Sequence, residues 1–501
     1  MDDASPALMP DPALPPELPP PPMERINDFP DGISPMLVKE LRQGLRTYTF
    51  VILFLVLQGL LALVLMTAGA ATSSSSSDGA GDMVSQIVFC FFSLALLVIQ
   101  PLRGISAISM EIKQNTIDLM VLTRLSAWRI VWGKWLAIVS QSILILLAIL
   151  PYLILRYFFG GMQLFSELFL MLYIFFISGA LTAFTVGLSA VPSVIIRGML
   201  PILGSIIMAG FVLWGLTPEL YRFVAYLSPS SHEFLGAIGF LALTLYMGYY
   251  FLDMGASMIA PAAENRATRK RLIGLAVLML SYWILQAMDP EIALLAALVV
   301  MGLISLDIFT ESSDFPRIVC RPFLRFGVMG RLIGRFLYPG HASGTFFFAF
   351  LSALLAFFLV LQSRFQGPDL RTWTLFGTAV GIMVFPAAMI QLFARKTRQR
   401  FALYISLQII AFLLAVILSA FFGYISDQTL LWIFTPVPAV LLPVTDALWN
   451  ENNKVGITFV SWTIAGLYYL IVLAGALPFM KRIQRLETNQ LNREDGIDDV
   501  A

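Results

Sequence analysis

Hydrophobic and polar positions along this chain fall into long blocks rather than short alternations. Apolar stretches of about 20 residues, the length a helix needs to cross a bilayer, recur from residue 48 to residue 480. They are rich in Leu, Ile, Ala and Phe and lack the period-two alternation of a barrel strand. They therefore predict helices, which satisfy their backbone hydrogen bonds within one segment. Spans are expected at about 48–67, 84–102, 135–155, 168–191, 199–214 and 234–254. A second set is expected at about 272–288, 292–306, 345–362, 373–393, 401–422 and 456–480. Each set has two spans, a long inner loop, three spans, a broken outer segment and one more span. The broken segments are 217–233, with Leu227-Ser228-Pro229-Ser230, and 430–444, with Pro436, Pro438 and Pro443. The expected fold class is an all-α polytopic membrane protein, with about twelve transmembrane helices as two topologically similar six-helix halves.

The polar stretches divide the chain further. Residues 1–30 are Pro-rich, with Pro19 to Pro22 consecutive, and read as a disordered tail or a docking motif. Residues 31–47 hold an amphipathic interface helix: Ser34 caps it, Pro35 suits its first position, and Leu37, Leu41 and Leu45 recur every four residues. Lys39, Arg42 and Arg46 share another face, which suits the surface of an anionic membrane. Residues 48–260 make the first half and 261–480 the second, degenerate one, opened by a basic linker at 264–271. A charged tail, 481–501, follows. The inner connector 310–341 carries Arg317, Arg321, Arg325, Arg331 and Arg335.

Composition agrees with a membrane protein. Hydrophobic residues make up 58% of the chain and charged ones 13%, about half the share of a soluble protein. Of the 32 Lys and Arg residues, this topology leaves only Arg156, Arg222, Arg364, Arg371 and Lys454 outside, which puts both termini in the cytoplasm. The acidic, Pro-rich start has no apolar core, so no cleavable signal peptide is expected. Cys90 and Cys320 have no plausible pairing, and His232 and His341 lie far apart, so neither disulfide nor metal site is expected.

Between the second and third apolar blocks lies the one extended connector that reads as a device, MEIKQNTIDLMVLTRLSAWRIVWGK, residues 110–134. Thr116, with Asp118 two positions on, suits a capped short helix with an acid in its first turn. Leu119-Met120-Val121-Leu122 is too short to cross a bilayer and long enough to lie on a surface or plug into a partner. Ser126 offers a second cap, and the helix it opens is expected to run unbroken into the third span. Trp128, Trp132 and Trp135 then share a face, as in an interfacial aromatic belt.

Taken whole, this segment resembles the cytoplasmic coupling segment of the ABC-2 type permeases, membrane subunits of ATP-driven transporters. Their pattern runs Glu, a few residues, Gly-Thr-Leu-Glu, leucines, Thr-Pro-Leu-Ser, then Ile-x-x-Gly-Lys. The chain keeps Glu111, Thr116, Leu119, Leu122, Thr123, Leu125, Ser126, Ile130, Gly133 and Lys134. Asn115 replaces the Gly, Asp118 the Glu and Arg124 the Pro. Asn tolerates a left-handed backbone nearly as Gly does, Asp keeps the charge, and Arg124 removes a rigid turn. The likeness is specific over about 33–134 and topological beyond.

The resemblance implies a permease subunit of a plasma or bacterial inner membrane, coupling ATP hydrolysis by a separate ABC ATPase subunit to export. Glu111, Thr116, Asp118, Thr123 and Arg124 would dock that ATPase, with Lys39, Glu40 and Arg42 nearby. Many such permeases have one six-span half and act as dimers; here one chain would form a fused two-half unit, or pair as a homodimer. The chain has no G-x-x-x-x-G-K-[ST], so nucleotide chemistry is expected on the partner, with no catalytic residues or cofactor here. Expected span interiors hold almost no ionisable residues, with Asp253 and Asp307 at inner ends, which argues against a proton- or sodium-coupled carrier and a hydrophilic channel. Ser140, Ser142, Ser205 and Tyr246 are scattered and form no catalytic constellation. Membrane lipid is the other expected contact, and nucleic acid is not. The apolar interior suits a lipid-like or hydrophobic cargo. A connector whose charges merely keep it in the cytoplasm, in a non-transporting scaffold or assembly factor with a permease body, is the alternative.

Overall fold

The computed structural model describes residues 35–72, 80–115, 126–156, 164–216, 232–261, 264–286, 289–312, 314–366, 369–397, 399–423, 433–449 and 453–494. These form helices and connections, with no strand among them. The expected tail 1–30, the Ser-rich run 73–77, Thr116, Asp118, Thr123, Arg124 and most of the broken segment 217–233 lie outside the described residues.

The long helices are α2 (Tyr48–Thr72), α3 (Ala80–Leu94), α4 (Ala127–Arg156), α5 (Leu164–Leu188), α6 (Val194–Leu216), α7 (His232–Ile259), α8 (Arg266–Gln286) and α9 (Pro290–Thr310). They are preceded by α1 (Pro35–Leu45) and followed by the short α10 (Gly327–Leu337). Then come α11 (His341–Gln366), α12 (Leu370–Phe393), α13 (Arg400–Gly423), the short α14 (Leu441–Leu448) and α15 (Lys454–Glu494). Ten among the described residues are long and apolar enough to cross a membrane: α2, α3 with its continuation, α4, α5, α7, α9, α11, α12, α13 and α15.

Several boundaries depart from expectation. The second span is not one regular helix. At Ala95–Ile99 it passes through a π-helical turn, which carries Pro101 past the point where its missing N–H would break an α-helix. The helix after Ser126 does run unbroken through the third apolar block, so α4 carries Trp128, Trp132 and Trp135 on one rigid rod. The stretch 264–271 is no exposed linker, because Arg266, Lys270 and Arg271 are buried in the first turns of α8. The tail from 481 stays helical through Glu494, as good helix formers Lys, Arg, Gln, Leu and Glu dominate it.

Small residues set the tightest crossing. A Cβ on Gly248 of α7 would lie 2.9 Å from the Ala180 Cα of α5, and one on Gly255 would lie 2.9 Å from the Gly187 Cα. The backbones touch there, as in membrane helix pairs that lack a hydrophobic driving force. The largest core cluster is centred on α9 (Val300, Met301, Ile304) and takes in Tyr246 and Tyr250 of α7 together with Phe348 of α11 and Tyr404 of α13. A second core joins α2, α3, α4 and α5. Outward positions are apolar as well: Leu55 and Leu63 of α2, and Ile410, Leu413 and Ile417 of α13, stand exposed, as lipid-facing residues would.

Candidate functional site

The Arg/Lys-rich end of the bundle gathers α1, the two described ends of segment 110–134, and the starts of α4 and α8. Glu111 sits in the short helix Ser109–Lys113 and turns inward, where Lys134 on the second turn of α4 lies 2.7 Å from its Oε1. The same Lys134 Nζ donates to Glu40 Oε1 of α1 at 3.2 Å. All three side chains are mostly buried. One ammonium thus holds two carboxylates, and three separate pieces of chain meet on it.

Arg103 fastens α1 a second time. It donates to Gln100 Oε1 (3.0 Å), to Gln141 Oε1 of α4, to the Gly44 carbonyl (3.3 Å) and to Thr47 Oγ1 (3.2 Å). Its guanidinium also lies 5.4 Å from the Phe50 ring centroid. A planar five-donor fork suits such a junction better than a point charge does. A cavity of about 580 Å³ opens between these fasteners, lined by Glu40, Thr47, Arg103, Lys134 and Gln141 with Ile138.

Asn115 takes φ +53°, and it alone among the described non-glycine residues has a positive φ. The left-handed turn comes where segment 110–134 leaves the helix Ser109–Lys113, at the position where the permease pattern has Gly. Asn is the substitute that costs least there, because its short polar side chain tolerates αL.

Of the residues read from sequence as a docking set, Glu40 and Glu111 are brought together, through Lys134. Lys39 and Arg42 stand on the exposed face of α1. Thr116, Asp118, Thr123 and Arg124 are the four that lie outside the described residues.

A second charged cluster sits beside the first. Asp253 of α7, fully buried, accepts from Arg266 and from Arg269 Nη2 (2.8 Å) at the start of α8. Burial works against the Arg266 charge, but Asp253 and Glu264 outweigh it and hold its pKa above the ordinary value. Lys270 donates to Asp307 (2.7 Å) and Arg271 to Glu311 (3.0 Å) at the end of α9. Lys270 is likewise held up, because Asp307 and Glu311 overcome its desolvation. Glu311 is pushed above its ordinary value by burial and by the neighbouring Asp307. Arg266 and Arg269 also lie 5.5 Å and 5.3 Å from the Trp128 ring centroid, so the start of α4 touches the start of α8. The spacing of Asp307 and Glu311, four apart on one helix face, was the available signal for this cluster. It was hidden because the partners lie on α8, across a turn whose packing the sequence does not state.

Elsewhere, His341 is buried at the start of α11 and bonds Arg400 Nη1 at 2.9 Å. Cys90 and Cys320 are free thiols. Ser140 and Ser142 bond carbonyls one turn back in α4.

No family model matches the chain, and no curated protein or solved structure matches it.

Proposed function

We propose that this chain is the membrane-spanning permease subunit of an ABC transporter, coupling ATP hydrolysis by a separate ATPase subunit to export of a lipid-like or hydrophobic substrate. One observation carries the reading. Segment 110–134 is closed at its base by Glu111 and Lys134, and that base is tied to the interface helix through Glu40. A force applied to the segment would then act on α1 and on the 30-residue α4 together. The left-handed Asn115 at the expected Gly position supports the same reading.

On this reading α6 and α8 join the ten apolar helices, giving twelve spans in two six-helix halves with both termini cytoplasmic. The charge distribution favours that orientation. Exposed Lys39 and Arg42, with Thr116, Asp118, Thr123 and Arg124, form the docking surface. Glu40 and Glu111 shape it from within. Trp128 passes displacement of α4 to Arg266 and Arg269, and so to Asp253 on α7.

A non-transporting scaffold with a permease body is the second reading. It is favoured by the use of Glu40 and Glu111 inside the fold, where they hold Lys134 instead of facing a partner. A mild-detergent pull-down of the tagged chain from its native membrane, scored for a co-purifying ATPase, separates the two. An ATPase bound by the wild-type chain and lost with Asp118→Lys and Arg124→Glu supports the permease and its docking surface. An ATPase that ignores both changes keeps the permease and moves the surface. With no ATPase on an intact chain, the scaffold stands.

A further inference from the structure

Helix α10 is amphipathic in the opposite sense to a helix bounded by water. Its buried side is Gly330, Gly334 and Leu337, while Val328, Met329, Leu332, Ile333 and Phe336 face outward. Phe326, just ahead of it, is 76% exposed and Met329 is 70% exposed. The glycines make this orientation compulsory. A Cβ on Gly330 would lie 2.9 Å from the Phe326 Cβ, and one on Gly334 would lie 2.6 Å from the Tyr338 ring. At those two positions no larger side chain fits the inward side.

The C-terminal end of α10 is fastened at several points. Thr268 Oγ1 donates to the Leu337 carbonyl (2.9 Å), and Arg271 donates to the carbonyls of Phe336 (2.8 Å) and Tyr338 (2.6 Å). Arg335 lies 3.5 Å from Glu487 on the extension of α15. Helix α10 is therefore held at the Arg/Lys-rich end, between the end of α9 and the start of α11. Residues 314–340 carry five arginines against one acid, Asp314, which is paired with Arg482 (2.7 Å). Arg317 and Arg325 are exposed.

We propose that α10 is an in-plane anchor in the cytoplasmic leaflet, with its outward apolar face sunk into the headgroup and acyl boundary and Arg317 and Arg325 set against anionic lipid phosphates. Charge complementarity selects this occupant, because that leaflet's surface is negative and basic amphipathic helices bind it. An apolar row flanked by arginines also lets the guanidinium groups reach upward to phosphates while the side chains stay in the boundary. The inner connector of the second set of spans then belongs to the membrane surface, not to an ATPase-facing surface. The anchor does not depend on whether an ATPase binds.

The test uses the full chain in vesicles of phosphatidylcholine and phosphatidylglycerol, with nitroxides on Met329→Cys and Leu332→Cys in a Cys90→Ala, Cys320→Ala background that keeps the parent's melting temperature. Collision with oxygen relative to a water-soluble nickel chelate should exceed that of an Asp314→Cys control several-fold, placing the probes about 5–10 Å below the headgroups. Arg317→Gln with Arg325→Gln, or vesicles of phosphatidylcholine alone, should make the probes shallower. Nickel access equal to the control overturns the anchor. Probes shielded from both reagents overturn it in favour of a protein partner. Unchanged depth without the arginines or without phosphatidylglycerol overturns the anionic-lipid assignment.

Discussion

Lys134 Nζ lies 2.7 Å from Glu111 Oε1, so the first and last charged residues of segment 110–134 meet as a buried ion pair. A third charge, Glu40, joins them from α1. Removing one partner of a buried group leaves the others desolvated without compensation, which typically costs about 3–5 kcal/mol. Lys134→Ala should lower the melting temperature in detergent sharply. Lys134→Met combined with Glu40→Gln and Glu111→Gln should recover most of the loss, since no bare charge remains. A triple variant no more stable than Lys134→Ala would refute the clamp.

Asn115 gives a backbone test. Its positive φ disfavours a β-branched residue by about 1–2 kcal/mol, whereas Gly fits without strain. Asn115→Gly should match the wild type in thermal stability, and Asn115→Val should fall below it. Equal melting of the two variants would mean that the turn is not held left-handed.

Asp253 carries two arginine partners while fully buried. Asp253→Ala leaves Arg266 with only the more exposed Glu264, so it should destabilise toward the lower end of the roughly 3–5 kcal/mol that a broken buried pair costs. Asp253→Asn, which keeps an acceptor oxygen, should lose less. Trp128→Leu removes the ring that both guanidiniums face and should cost about 0.5–2 kcal/mol. Chemical unfolding in mild detergent ranks the three, and Trp128→Leu exceeding Asp253→Ala would reverse the assignment of the main support.

Asp369 caps α12 at the opposite end of the bundle. It accepts from the backbone N–H of Arg371 (3.0 Å) and Thr372 (3.2 Å) and from Thr372 Oγ1 (2.6 Å). Partial burial would raise its pKa, but these hydrogen bonds and the Arg371 charge outweigh it and hold the carboxyl below its ordinary value. A depressed folded value means that the stabilisation is present above the unfolded pKa of about 3.9 and is lost as pH falls through the folded one. Asp369→Ala should cost about 1 kcal/mol at neutral pH. The gap to the wild type should shrink below about pH 4. A gap that stays constant down to pH 2 would exclude the ionised cap.

The membrane-spanning character and most span positions were legible in the order of residues alone. A helix exposed to lipid has to be apolar all round for about 20 residues, and that requirement writes itself linearly into blocks such as Tyr48–Thr67. The start of α1 at Pro35, the unbroken α4 and the tolerance of Asn115 for a left-handed turn are local facts of the same kind, set by neighbours in sequence. What only tertiary structure decided is which polar groups at the Arg/Lys-rich end meet. Glu111 looks like a docking charge in the sequence, but its position beside Lys134 follows from where the helix Ser109–Lys113 meets α4. Arg266, Lys270 and Arg271 read in the sequence as part of a basic linker, yet the α7, α8 and α9 packing turns them onto Asp253, Asp307 and Glu311. The outward apolar face of α10 is fixed by glycines touching Phe326 and Tyr338. Hydropathy sums over a segment and fixes what crosses the membrane. Ion pairs and close backbone contacts depend on distances between segments, and those exist only after folding.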